Sequence, residues 1–200
     1  MKALSKKQTD GIDKFFDFYD FDQFQSTVNH DVIIEFNKLY DNITYNDLNY
    51  GDNREICLRK ESILKSLFFL IVNKCKETSC IIRKYNECWV ANNRESKKLQ
   101  KLLRENNVKN RNTDAILTEK NTKEVDLFIS SCLKYNSFVQ FLLKEEKMVM
   151  TITDHMDLFI SFESKDSFVM IKECIQQINN RYYTNDQIFE ELIGMRTVVE

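Results

Sequence analysis

Two hundred residues, among them fifteen Phe and eight Tyr, are enough to build and fill a sizeable hydrophobic core. A net charge of −2, no Pro and only three Gly argue against a polycationic nucleic-acid binder and leave little room for a glycine-rich phosphate loop. Six cysteines without a Cys-x-x-Cys pair, beside two histidines, do not match zinc-site spacings and point to reduced, mostly buried thiols of a cytoplasmic protein.

No apolar stretch follows the basic start, so residues 1–11 do not read as a secretory signal. The best apolar run, 62–72, is interrupted by Lys65 and too short to cross a bilayer, so no membrane partner is expected. The first element spans 12–26 and carries Phe15, Phe16, Phe18, Tyr19, Phe21 and Phe24. These are too many rings for one helical face, so the element is buried on two sides or lends part of its aromatic surface to a partner. Burial is the preferred reading, because exposed apolar patches of that size are uncommon.

A second helix, capped by Asn29, is expected to carry Val32, Ile33, Phe36, Leu39 and Tyr40, with a polar loop over 41–53. Asp52-Asn53-Arg54-Glu55 reads as a capping box. It opens the longest and most buried helix, with Ile56, Ile63, Leu64, Leu67, Phe68, Ile71 and Cys75 in a broad stripe. Segment 80–91 is ambiguous. Ile82, Tyr85 and Trp89 fit a helix, whereas Ile81-Ile82 and Trp89-Val90 suit strands; a helix running on into 94–105, with Leu99, Leu102 and Leu103 as its apolar edge, is favoured. Polar 106–122 reads as a connection. It divides the chain into a helical region 1–110, a mobile connection 111–121 and a mixed region 122–200, with one continuous globular domain as the alternative.

Asn121-Thr122-Lys123-Glu124 starts a further helix, in which Val125, Phe128, Ile129, Cys132 and Leu133 recur at amphipathic spacing. Segment 137–144 is β-capable. Segment 148–164 alternates on both arms, with Asp154-His155-Met156-Asp157 as the reversal, and is the clearest hairpin in the chain. Ser164 caps a helix presenting Phe168, Ile171, Ile175 and Ile178. Thr184-Asn185-Asp186-Gln187 reads as the cap of a last helix with Ile188, Leu192 and Ile193, ended by Gly194. The expected fold is α+β and helix-rich: a helical N-terminal region packed with a three-stranded antiparallel meander flanked by helices.

Charge is distributed unevenly. Residues 10–55 hold eleven acids and three bases, and residues 58–111 hold fourteen bases and five acids. The two blocks either pair with each other as solvated faces or engage partners of opposite charge. Read as a helix, the acidic block sets Asp13, Asp17 and Asp20 on one stripe, with Asp22, Phe18 and Phe21 beside them. Carboxylates that steer and rings that anchor suit a basic protein partner, the logic of small acidic inhibitors and immunity proteins. The expected function is therefore a non-enzymatic protein-interaction module. In the basic block Arg94, Lys97, Lys98, Lys101 and Arg104 line one side of a helix, spaced for phosphates but without interleaved aromatics, which makes nucleic-acid binding the alternative.

Catalytic footholds are few. Glu163-Ser164-Lys165 has the E-x-K form of metal-dependent nucleases, but Asp154 sits at the opposite end of the hairpin, roughly 20 Å away at 3.3 Å per residue. His155 and His30 read as turn and helix-start residues, and no base is placed for a Ser or Cys nucleophile. No metal or cofactor is expected.

Overall fold

A computed structural model describes residues 1–28, 30–36, 54–75, 79–85, 94–108, 114–118, 122–134, 138–182 and 193–198. Its strands in chain order are β1 (Lys2–Ala3), β2 (Tyr19–Asp20), β3 (Gln25–Ser26), β4 (Asp31–Phe36), β5 (Ser79–Tyr85), β6 (Asp114–Thr118), β7 (Phe138–Leu143), β8 (Met148–Ile152), β9 (Leu158–Phe162) and β10 (Ile193–Thr197). The helices are α1 (Lys6–Phe15), α2 (Arg54–Lys74), α3 (Arg94–Glu105), α4 (Thr122–Leu133) and α5 (Lys165–Tyr182). Eight strands form one sheet in the order β1-β6-β5-β7-β8-β9-β4-β10, antiparallel at every step, while β2 and β3 make a separate small hairpin.

Period-two alternation divides the sheet into two apolar faces. Val32 and Ile34 of β4, Ile82 of β5, Phe141 of β7, Met150 of β8 and Ile160 of β9 meet the helices α2 to α5 in the main core. The longest helix, α2, turns Ile63, Leu64, Leu67, Phe68 and Ile71 to the sheet, each fully buried, and the Phe68 ring stands edge-on to Phe141 at 4.8 Å. Each such side chain contributes roughly 1.5–3 kcal/mol of burial. The intervening residues, Ile81, Leu142 and Val149, face the other way. They are covered by Ile12 and Phe16 of α1 and by Phe18 and Tyr19 at the start of the β2–β3 hairpin. The sheet thus lies between a helical layer and a thinner α1–hairpin cover.

The meander β7-β8-β9 forms with the expected alternation, and Met148 pairs with Phe162 across it. It is the middle of the sheet rather than the whole of it, so the expectation of a helix-rich chain with a three-stranded meander is corrected to α+β around eight strands. Besides the two-residue strand β1 at the sheet's edge, four segments account for the difference. The helix expected after Asn29 is strand β4, because Val32, Ile34 and Phe36 share a face only at a period of two. Residues 79–85, favoured as helix, form β5 beside β7. The polar connection contains β6, whose Ala115 and Leu117 are buried. Gly194, expected to end a helix, lies in edge strand β10 opposite Glu35. The loop over 41–53, the caps at 52–53 and 184–187 and the remainder of 86–91 lie outside the described residues.

Helices α2, α3, α4 and α5 stand where amphipathic spacing puts them. Cys57, Cys75, Cys80, Cys132 and Cys174 are buried thiols outside any disulfide. Among the described residues, no helix is long and apolar enough to cross a membrane.

Candidate functional site

The acidic-aromatic segment is not one helix. A capping box opens α1, with the Ser5 amide donating to Gln8 Oε1 at 2.9 Å. The helix stops at Phe15, and the Tyr19 amide then donates to the Phe16 carbonyl at 3.0 Å to start a turn into β2. Asp20 closes the β2–β3 hairpin: its Oδ1 accepts the amides of Asp22 at 2.8 Å and Gln23 at 3.0 Å, an Asx-type turn. Phe24 takes the last position of that turn at φ 59°, a left-handed conformation uncommon for a bulky residue.

Consequently the expected stripe of Asp13, Asp17 and Asp20 does not exist as a helical row. Asp13 lies on α1 and binds Arg83 Nη1 at 2.6 Å, and Asp20 is spent on its turn. Asp17 is largely exposed, 4.0 Å from Lys147, and Asp22 is exposed at the hairpin tip. The rings divide in the same way. Phe18 is buried at 4 % exposure and Phe21 is half-buried, so both belong to the second core. Phe24 and Val28, 38 % and 44 % exposed, are the apolar side chains that this segment shows to solvent. The reading that most of these aromatics are buried therefore describes Phe16, Phe18 and Tyr19, and the outward pair is at 24 and 28.

The cover is fastened by polar groups buried on the sheet's second face. Arg83 of β5 donates Nε to Asp114 Oδ1 at 2.9 Å and Nη2 to Asp114 Oδ2 at 2.8 Å, across the β5–β6 register. Its guanidinium also lies 4.0 Å from the Phe21 ring centroid. Burial pulls the Arg83 pKa down, but bonds and charges from Asp114 and then Asp13 outweigh it and hold the value above that of an ordinary arginine. Gln140 donates to the Tyr19 hydroxyl at 2.6 Å. Buried Asp31 accepts the Ser26 amide at 3.0 Å and the Ser161 hydroxyl. One member of the acidic block, Asp13, thus pairs with one of the basic block, Arg83.

On α3, Arg94 opens the helix, and Lys97, Lys98, Lys101 and Arg104 project to solvent while Leu99 and Leu103 are buried. Two of the cations make local contacts: Lys101 lies 3.8 Å from Glu105, and Arg104 Nε donates to the Gln100 carbonyl at 3.3 Å.

Two other clusters bear on catalysis. A groove of about 570 Å³ along α2 has Lys65 at its floor, within 2.7 Å of Glu61, 2.9 Å of Asp126 and 2.7 Å of the Ser130 hydroxyl. Burial lowers the Lys65 pKa, yet the hydrogen bonds it donates to Glu61 and Asp126, with their charges, outweigh this and raise the value. A charged ammonium offers no lone pair to activate Ser130, whose hydroxyl donates to Glu61 at 3.0 Å. The cluster is a polar clasp between α2 and α4. At Glu163 the residue across the hairpin is Lys147, bonded at 2.7 Å, where a shared metal would require a second carboxylate. His30 stacks on Phe162 with Nδ1 3.0 Å from the Glu163 carbonyl, and His155 is exposed in the turn.

No protein-family model, curated protein or solved structure matches this chain.

Proposed function

We propose that the chain is a non-enzymatic protein-interaction module that binds a basic partner through the tip of its α1–hairpin cover. The observation that carries this reading is the grouping of exposed Phe24 and Val28 with the outward carboxylates Asp17 and Asp22 on one short segment. Apolar groups at the centre of a contact supply affinity, and surrounding carboxylates steer a cationic surface and fix its register. Behind the tip, the Arg83–Asp114 pair, the Asp20 turn and the Phe16–Phe21 ring cluster hold the segment in one conformation, which lowers the entropy cost of binding. Covering the working surface of a basic protein, as an inhibitor or immunity-type protein does, is the activity such a tip suits.

The test separates steering from anchoring. Asp17→Asn with Asp22→Asn should slow association with the partner captured from the native host and flatten its salt dependence. Phe24→Ser should speed dissociation. Asp20 is left intact because it closes the turn, and Asp13 because it is already engaged with Arg83. Unchanged association and dissociation rates in both variants would refute the reading.

A second reading, nucleic-acid binding, rests on the exposed row Lys97, Lys98, Lys101 and Arg104 of α3. It predicts a shift of labelled RNA or DNA whose affinity falls steeply with salt and drops further in Lys97→Gln/Lys101→Gln. A salt-insensitive or absent shift would dismiss it.

A further inference from the structure

The eight-stranded sheet has two edges, and they are finished differently. At one, β1 and the Leu4 amide cover β6 from Asp114 to Ile116. At the other, β10 pairs with β4 on its inner side, and among the described residues no strand lies beyond it.

Register decides which backbone groups that edge exposes. The Val198 amide donates to the Asp31 carbonyl at 3.0 Å, so hydrogen-bonded pairs recur at Arg196–Ile33 and Gly194–Glu35. Ile193, Met195 and Thr197 therefore turn their N–H and C=O groups outward. Ile193 is already closed: its amide donates to Asn179 Oδ1 at 3.1 Å, and its carbonyl accepts Asn179 Nδ2 at 3.0 Å. Met195 and Thr197 have no such cap among the described residues. Their two donors and two acceptors stand at strand spacing. Another extended backbone meets all of them at once, whereas a helix has spent its own groups internally.

Side chains narrow the occupant further. Arg196 stands between the two open residues on the sheet's second face, 58 % exposed. Glu35 accepts its Nε at 3.0 Å and its Nη2 at 3.5 Å, and among the described residues Nη1 has no partner. A second copy of this chain is a poor occupant. The antiparallel pairing that satisfies Met195 and Thr197 sets Arg196 directly opposite its own copy, where like charges repel. An acidic residue is favoured at that place instead. Met195 points to the other face, partly buried against the main core, so apolar β-branched residues suit the positions on either side of the acid.

We propose that the outer edge of β10 takes up an extended acidic segment of another protein as an added antiparallel strand, its carboxylate beside Arg196 and an apolar residue on either side. Main-chain bonds would supply the affinity and Arg196 the selection. The contact uses none of the tip residues Asp17, Asp22, Phe24 and Val28.

The probe is the end-blocked peptide Thr-Val-Glu-Val-Thr, titrated into the full chain. Wild type should bind it with the largest shifts, and slowed hydrogen exchange, at the Met195 and Thr197 amides. Replacing the peptide's Glu by Lys should weaken binding about fivefold, and Arg196→Gln should abolish that preference. Methylating both Val nitrogens keeps the charge but removes the donors, and should weaken binding about tenfold or more. Thr197→Pro deletes an outward N–H and no bond to β4, so the thermal midpoint should stay near that of wild type while peptide affinity falls about tenfold. The proposal is overturned if the methylated peptide binds as well as its parent, if Arg196→Gln keeps the preference for Glu, or if the Met195 and Thr197 amides stay unmoved in wild type. Dimerisation of the peptide-free chain that slows exchange at the same two amides would overturn it too, because the added strand would then be a second copy.

Discussion

Replacing Asp114 with alanine removes the acceptor that fastens Arg83 to the sheet. Asp114 is fully buried, and its carboxylate accepts two bonds from Arg83 at 2.9 and 2.8 Å; the Arg83 side chain is itself only 6 % exposed. Breaking a buried pair from one side costs about 3–5 kcal/mol, because a desolvated charge is left behind. Asp13 remains 2.6 Å from Nη1, but it is 50 % exposed, and a contact of that kind recovers only about 0–1 kcal/mol. The expected loss is therefore about 3 kcal/mol, a large share of the roughly 5–15 kcal/mol by which domains are stable. Urea unfolding followed by far-ultraviolet circular dichroism measures it. Asp13→Ala should cost about 1 kcal/mol or less by the same assay. The double variant Arg83→Met/Asp114→Leu, which replaces the ions with apolar volume, should regain most of the loss. If Asp114→Ala loses less than about 1 kcal/mol, or Asp13→Ala loses as much as Asp114→Ala, the buried pair is not the fastening.

Other expectations follow from charge and burial. Burial raises the Asp157 pKa above the 3.8 of a free side chain, and the Thr153 hydroxyl and His155 do not fully offset it. The folded state then holds this proton more tightly than the unfolded state, so stability falls as pH rises from 3.8 through the folded value. Asp157→Asn should be more stable than wild type at neutral pH and equal to it in acid, and unfolding at the two pH values checks this. Lys65→Met removes the cation that Glu61 and Asp126 share and should cost about 2 kcal/mol, discounted for partial exposure. Because the Lys65 pKa is raised, that contribution should be complete below 10.5 and vanish only as pH climbs past the folded value, which an alkaline stability series would show. Burial first of all pushes the Cys174 thiol up, with Lys74 lowering and Glu173 raising it, so Cys174 should resist an aromatic disulfide reagent until the protein unfolds. Fast labelling of the native protein at this position would contradict that.

Much of the site was hidden by a wrong local period. Phe15 to Phe24 reads as a helix too rich in rings, yet Asp20 followed by Phe21-Asp22-Gln23 carries an Asx-turn signal between two short strands. Recognising that turn would have moved Phe18 inward and Phe24 outward. Nothing local marks Arg83 as the anchor, since its partners come from α1 and β6 and meet only when the sheet has formed.

Local chemistry determined the elements whose signals are long or repeated. Amphipathic spacing over at least three turns placed α2, α3, α4 and α5, and unbroken alternation on both arms placed β8 and β9. The same rules could not decide β4, β5, β6 and β10, each five to seven residues long. A run that short fits a strand or a helical turn equally well, and its backbone bonds are made to distant chain: β4 to β9 and β10, β6 to β5 and β1. A helix satisfies its amides within its own segment, whereas a strand waits for a neighbour. Helices α2 to α5 and the central hairpin were therefore legible along the chain, whereas α1 and the eight-stranded sheet, with the tip built on its second face, were decided by tertiary pairing.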